Sequence, residues 1–146
     1  MVATGLLAHL RRARDHIDRH SADPLDLDAL ARVARVSKYH FVRSFHDVYG
    51  QTPIRYVTRR RIARAQDLLR AANLTVTEVC MAVGFTSLGS FSSRFSALVG
   101  ENPAAYQRRW AVRGAPHVPG CYLFMAGVLP QSGRSGSPSP TATVTP

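Results

Sequence analysis

The stretch with the most chemical potential is SKYHFVRSF, residues 37–45, followed by His46. Phe41 and Phe45 are four apart, so on a helix they share one face, and that face is apolar. The outer side then carries Lys38, Tyr39, Val42, Arg43 and His46. Arg43 offers a planar fork of N–H donors that matches the O6 and N7 acceptors of guanine, a contact worth about 1–3 kcal/mol of discrimination. Tyr39 and Val42 can pack on thymine methyls. Lys38 is a compact point charge and suits a phosphate better than a base edge. Ser37 stands where such a helix would start, and the free N–H groups of a helix start also attract phosphate.

A second stretch repeats the frame. SLGSFSSRF, residues 87–95, again has the spacing F-x-x-x-F and again reaches a glycine five residues later, Gly100 against Gly50. Its outer side holds Thr86, Ser87, Leu88, Gly89, Ser92 and Ser93. The arginine comes one step later, at Arg94, which rotates it about 100° from Ser93. Thr86 and Ser87 are the phosphate candidates here. Gly89 inside a helix costs about 1 kcal/mol relative to Ala. Hydroxyls and bare backbone imply weak base reading by this copy, with most of the specificity in the first.

The overall balance agrees with a polyanionic partner. The chain carries +10 at pI ≈ 11.0, and of its 19 basic residues only Lys38 is not arginine. Charge of that kind argues for attraction to nucleic acid in general, not for sequence reading. Catalytic, metal and cofactor roles find no support. His16 and His20 have i,i+4 spacing but no third ligand. Cys80 falls on an apolar face and reads as core. Cys121, in VPGCYLFM, belongs to no C-x-x-C pair. The apolar residues of the N-terminus are interrupted by His9 and Arg11, which excludes a signal peptide or a membrane span there and points to the cytoplasm.

The elements that must position these residues are helical. Leu6, Leu10, Ala13 and Ile17 make one stripe on a first helix over 5–20. Asp26 caps a short helix bearing Leu27, Leu30, Ala31 and Val33, and Ser37 caps the next, which Gly50 closes in a left-handed conformation. A short helix, a tight turn and a capped second helix make a helix-turn-helix over about 28–49. Thr52 and Pro53 then open a long helix over about 53–72 with Tyr56, Ile62, Ala65, Leu68 and Leu69 on its apolar face. It is rich in arginine, and half of Arg55, Arg59, Arg60, Arg61, Arg64 and Arg70 are expected to face solvent or pair with Asp67 and Asp47, with Arg61 structural. The scheme restarts at Thr75, whose spacing to Glu78 is that of a capping box, and gives a second helix-turn-helix over about 76–99. Its short helix is read as Val79, Cys80, Met81, Ala82 and Val83.

At an offset of 50, Phe41/Phe91, Phe45/Phe95, Gly50/Gly100, Pro53/Pro103 and Tyr56/Tyr106 coincide, whereas Ala31/Cys80 and Arg35/Gly84 pair at 49. The chain is therefore an internal duplication whose second turn is one residue longer. If the turn needs φ > 0, Arg35 bears about 1 kcal/mol of strain. Residues 111–130 read as an irregular apolar arm, and 131–146 as a disordered tail rich in Ser, Pro, Gly and Thr.

The frame LARVARVSKYHFVRSFHDVYGQTPIRYVTRRRIARAQDLL, with VTEVCMAVGFTSLGSFSSRFSALVGENPAAYQRR, resembles the DNA-binding domain of the AraC/XylS family of bacterial transcription regulators over residues 9–110. The most specific matches are Gly84–Phe85, the trailing Gly100, Pro103 and Tyr106, and RIARAQDLL. The resemblance implies an all-α, homeodomain-like fold of about seven helices, two helix-turn-helix subdomains joined by a long central helix. It implies double-stranded DNA as partner, two recognition helices (38–48 and 87–99) in successive major grooves, asymmetric promoter sites and a monomer on DNA. It also implies contacts at Tyr39, Val42 and Arg43, and RNA polymerase as a second candidate partner of an activator in the nucleoid. Many relatives carry arginine at the position of Ser93, which is absent here. A helix of about 18–20 residues is roughly 30 Å long, close to the ~34 Å between successive grooves. With few residues outside the domain, the expectation is a stand-alone regulator or the remnant of a larger one. Two other readings stand beside it. One is an interaction protein with a degenerate second subdomain, binding a partner or small effector through its C-terminal arm. The other is an alkyl-accepting enzyme using Cys121.

Overall fold

The computed structural model describes residues 4–112 and the backbone of Val118–Pro119. Among the described residues there are seven helices: α1 Thr4–His20, α2 Leu27–Ala34, α3 Lys38–Tyr49, α4 Pro53–Ala71, α5 Val76–Ala82, α6 Leu88–Val99 and α7 Pro103–Val112. The expected all-α fold with two helix-turn-helix units is what forms. Helices α2 to α7 each begin where a short polar side chain takes an orphan N–H. Asp26 accepts from the Ala29 N–H at 2.7 Å, Ser37 from His40 at 3.3 Å, Thr52 from Arg55 at 3.3 Å and Thr75 from Glu78 at 3.1 Å. At the second recognition helix Ser87 is the cap, accepting from the Ser90 N–H at 3.3 Å.

Two separate cores result. Leu10, Ala13, Ile17, Leu30, Phe41, Phe45 and Val57 bury the first. Ile62, Ala65, Leu69, Val79, Phe91, Phe95 and Tyr106 bury the second. The duplication is visible in the ring packing. Phe41–Phe45 and Phe91–Phe95 both stand 5.7 Å apart between centroids. Phe45–Tyr56 meets edge-on at 5.7 Å and 70°, and Phe95–Tyr106 at 5.4 Å and 74°.

Helix α4 serves both units. Its start repeats as α7, through Pro53/Pro103 and Tyr56/Tyr106. Its remainder repeats α1: Leu10, Ala13 and Ile17 are fully buried in one core as Ile62, Ala65 and Leu69 are in the other. A single 19-residue helix, about 28 Å long at 1.5 Å per residue, thus closes one unit and opens the next.

The turns obey the expected offset. Arg35 N–H reaches Arg32 O and Val36 N–H reaches Ala31 O, while Gly84 N–H reaches Met81 O and Phe85 N–H reaches Cys80 O. Both are the paired bonds of a Schellman turn. Arg35 is left-handed at φ 56, and Gly84 has φ 100. The extra residue of the second turn is Thr86, between Phe85 and the cap Ser87.

On α5, Met81 is 56% exposed, because a seven-residue helix over one core buries only its Val79 and Cys80 side. Two expectations are corrected, those for Tyr56 and for Asp47. Tyr56 is only partly buried, since its hydroxyl reaches out to Asp18 at 2.7 Å. The acid that meets the arginines of α4 near the first unit is that same Asp18, 3.0 Å from Arg60 Nε, rather than Asp47. Helix α7 runs through Val112, into the stretch read as an arm at 111–130. Val118–Pro119 pairs in parallel with Ala72–Asn73. The rest of that arm, Cys121 and the tail at 131–146 lie outside the described residues.

Candidate nucleic-acid interface

Helix α3 is held from behind and open in front. Phe41, Ser44 and Phe45 are buried against α1 and α2. The His9 imidazole, 2.9 Å from Ala34 O, ties α1 to the end of α2, and Lys38 Nζ lies 3.3 Å from Asp28 Oδ1. Ser37, Lys38, Tyr39, Arg43 and His46 are exposed and Val42 is half-buried, and by helical spacing Tyr39, Val42, Arg43 and His46 share the side opposite Phe41 and Phe45. Tyr39 is 74% exposed. Arg43 Nη1 donates to Tyr39 Oη at 3.2 Å. That bond holds guanidinium and ring together one helical turn apart, which limits the rotamers either would lose on binding.

Helix α6 buries Phe91 and Phe95 and exposes Leu88, Gly89, Ser93 and Arg94, with Ser92 half-buried; Thr86 and Ser87 are exposed ahead of it. The position of Arg94 corresponds to Ser44, which is buried. A long arginine stem at such an edge carries its head outward past the core. Arg94 is therefore exposed on a different side from Ser93, and the two copies differ in where their charge points. A Cβ added at Gly89 would meet only Ser87 Oγ, at 3.8 Å, so the site does not require glycine for space.

The arginines of α4 divide by function. Arg60 pairs with Asp18, and Arg70 with Asp67. Arg61 sends Nε to Ser21 O at 2.6 Å and Nη2 to Asp23 O at 2.7 Å. Arg55 and Arg59 are exposed beside a cavity of about 450 Å³ where α3 gives way to α4, lined also by His46, Tyr49, Gln51 and Thr52. No acid lines it. Sequence reasoning expected half of these arginines to face solvent or pair with acids and Arg61 to be structural, but it did not single out Arg55 and Arg59. The available signal was that neither Arg55 nor Arg59 has an acid within one helical turn in sequence, whereas Arg70 has Asp67.

The remaining titratable groups are structural. Burial, then the hydrogen bond to Asp18 and its charge, push the Tyr56 hydroxyl up to about 12. Burial raises the Cys80 thiol, which keeps it protonated and inert. Among the described residues no cluster of His, Cys, Asp and Glu could hold a metal ion.

Residues 30–109 match the family model described as a helix-turn-helix domain. The chain belongs to the AraC/XylS family. It is 34% identical over 105 residues to the MmsAB operon regulatory protein of Pseudomonas aeruginosa, covering 72% of this chain and 32% of that protein. It is 33% identical over 91 residues to the transcriptional activator AarP of Providencia stuartii, covering 62% of this chain and 67% of that one. Among solved structures, the DNA-binding domain of AdpA in complex with a target DNA superposes with a TM-score of 0.64 at 28% identity, over 76% of this chain and 96% of that one. A probable AraC family regulator from Rhodopseudomonas palustris gives 0.66 at 25% identity, over 70% of this chain and 97% of that one. The chain thus spans about a third of the length of the MmsAB relative, and nearly all of the AdpA DNA-binding domain. No helix among the described residues is long and apolar enough to cross a membrane.

Proposed function

We propose that the chain is a non-enzymatic transcription regulator that binds double-stranded DNA sequence-specifically, with α3 and α6 in successive major grooves. The observation that carries this reading is the exposed Tyr39–Arg43 pair on the second helix of a helix-turn-helix, within a family that includes a domain solved on its target DNA. Arg43 reads guanine, Tyr39 and Val42 meet thymine methyls, and Lys38 and His46 flank them at the backbone. Lys38 need only turn from the exposed Asp28 carboxylate, and exposed pairs of that kind hold by no more than about 1 kcal/mol. On α6, Leu88, Gly89, Ser92 and Ser93 make a weaker reading surface, with Thr86, Ser87 and Arg94 on phosphates. The bound species is a monomer, because the two halves of one chain already supply two reading helices.

Selection of duplexes from random sequence, followed by sequencing, tests this. The expected product is an asymmetric site with one well-defined half, read by α3, and one diffuse half about one helical turn away. Absence of enrichment over the starting pool would overturn the reading.

A further inference from the structure

The two helix-turn-helix units touch each other directly, apart from sharing α4. On one side is the loop between α1 and α2, residues 21–23; on the other is the turn between α5 and α6. Arg61 sits between them. Its guanidinium donates to two loop carbonyls, Ser21 O at 2.6 Å and Asp23 O at 2.7 Å. Its Cζ also lies 5.8 Å from the centroid of Phe85, in the turn of the second unit. Beside it, Gly84 comes so close that an added Cβ would stand 2.6 Å from Ala22 O. Ser21 is buried by this packing.

The first turn has no such seam. Arg35 holds the place equivalent to Gly84 and keeps a full side chain, exposed, at φ 56. Both turns need φ > 0, but only the second needs the absence of a side chain. The glycine therefore answers to a contact between units, not to the turn alone. The loop belongs to the first core and the turn to the second, so this seam adds a second connection to a pair otherwise joined by one helix. A single helix is free to bend or twist about its axis, whereas two connections at separate points remove that freedom.

We propose that this seam is a clamp that fixes α3 relative to α6 and thereby sets the half-site spacing the protein accepts, with Arg61 and Gly84 as positioning residues that touch no DNA. Its DNA consequence rests on the two-groove reading above, while the clamp itself does not. One inserted base pair displaces a half-site by about 3.4 Å and rotates it by about 35°, which a fixed pair of helices can follow only by deforming the duplex.

The test begins without DNA. Spin labels at His40→Cys on α3 and Ala97→Cys on α6, both exposed positions, report the distance between the helices, in a Cys121→Ser background. The expected result is one narrow distribution, broadened or shifted by Arg61→Met, with far-UV circular dichroism unchanged. Arg60→Met, which removes a cation paired within the first unit, leaves the distribution as it was. An Arg61→Met distribution identical to the wild type overturns the clamp. Should that variant not fold, Phe85→Leu removes the stacking alone and is read by the same two outcomes. The second arm uses the selected duplex with one base pair added between its halves. Wild-type affinity is expected to fall on the order of tenfold, and that of Arg61→Met by less than about threefold, the difference being roughly what a one-kcal deformation supplies. If the label distance responds to Arg61→Met but wild-type affinity ignores spacing, the two-groove reading fails and the clamp stands. If the label distance does not respond, the clamp fails whatever the DNA does.

Discussion

Gly84→Ala and Gly50→Ala place the same methyl on two left-handed turns with different surroundings. Gly50 closes α3 at φ +73, and a Cβ there meets nothing within 4 Å. The substitution costs only the backbone strain of an L-residue in that region, about 1–2 kcal/mol. Gly84, at φ +100, adds a contact of 2.6 Å with Ala22 O and 3.0 Å with Ala22 C and Cα. These are backbone atoms of a packed loop and cannot swing aside as a side-chain tip would. Overpacking of that kind costs a further 1–3 kcal/mol or so, giving about 2–5 kcal/mol in total. Arg35→Gly runs the opposite way. It relieves left-handed strain at φ 56 and loses some of that gain to the freer unfolded chain, for a net stabilisation of about 0.5–1 kcal/mol. For a domain of this size 1 kcal/mol moves the melting temperature by about 4 °C. Thermal and urea unfolding followed by far-UV circular dichroism should place the variants in the order Arg35→Gly, wild type, Gly50→Ala, Gly84→Ala. Equal losses at Gly84 and Gly50 would refute the close-approach reasoning, and a clear loss for Arg35→Gly would refute the strain reasoning.

On the selected duplex, Arg43→Ala should lose about 1–3 kcal/mol of discrimination at one base position, whereas Arg94→Ala should weaken all sequences alike and flatten the salt slope by about one unit; competition binding over a salt series separates the two. Phe95→Ala should cost about 3–5 kcal/mol in urea unfolding, since the ring is fully buried between Phe91 and Tyr106. His16 has its pKa lowered by burial, then by the charges of His20 and Arg19, against the pull of Asp23. A depressed base is neutral in the fold, so its share of stability is present above its unfolded value of 6.5 and is lost as pH falls through the folded one. Melts at pH 7.5 and 5.5 should show a smaller acid loss in His16→Gln than in the wild type.

Much of the fold was legible because its signals are local. The caps Asp26, Ser37, Thr52 and Thr75 announce themselves by residue type, and the repeated Phe and Tyr positions fix which face of each helix is buried. Even the left-handed state of Arg35 follows from its alignment with Gly84. What the sequence hid is what depends on residues far apart. Arg61 is 40 positions from Ser21, and although its place marked it as structural, nothing local names the two carbonyls and the ring it meets. Tyr56 reads as apolar by period, yet Asp18, 38 residues away, draws its hydroxyl outward. Met81 is exposed for a simpler reason: a short apolar helix over one small core has more apolar residues than buried places. Ser44 and Arg94 show a further limit, since the repeat aligns them and only the packing reveals that one site is covered while the other releases a charge.

A weak second reader still contributes when it is held rigidly. On the proposed two-groove reading, once α3 is in its groove α6 meets DNA as an intramolecular event, and the gain depends on how narrowly its position is defined. On a loose connection, a surface of serines and a glycine would spend what it gains on ordering the two units. Held by α4 and by the Arg61 seam, the same surface needs only a few phosphate and hydroxyl contacts to add affinity, and those contacts are insensitive to base identity. Rigidity and degeneracy therefore belong together under this reading. On the proposed reading, the first helix, with a forked, preorganised cation, selects the sequence, and the second, poor in side chains, selects the distance and shape at which a duplex presents its next groove. The unequal filling of two aligned frames would then be a division of labour between base reading and geometry, made rigid by the seam at Arg61 and Gly84.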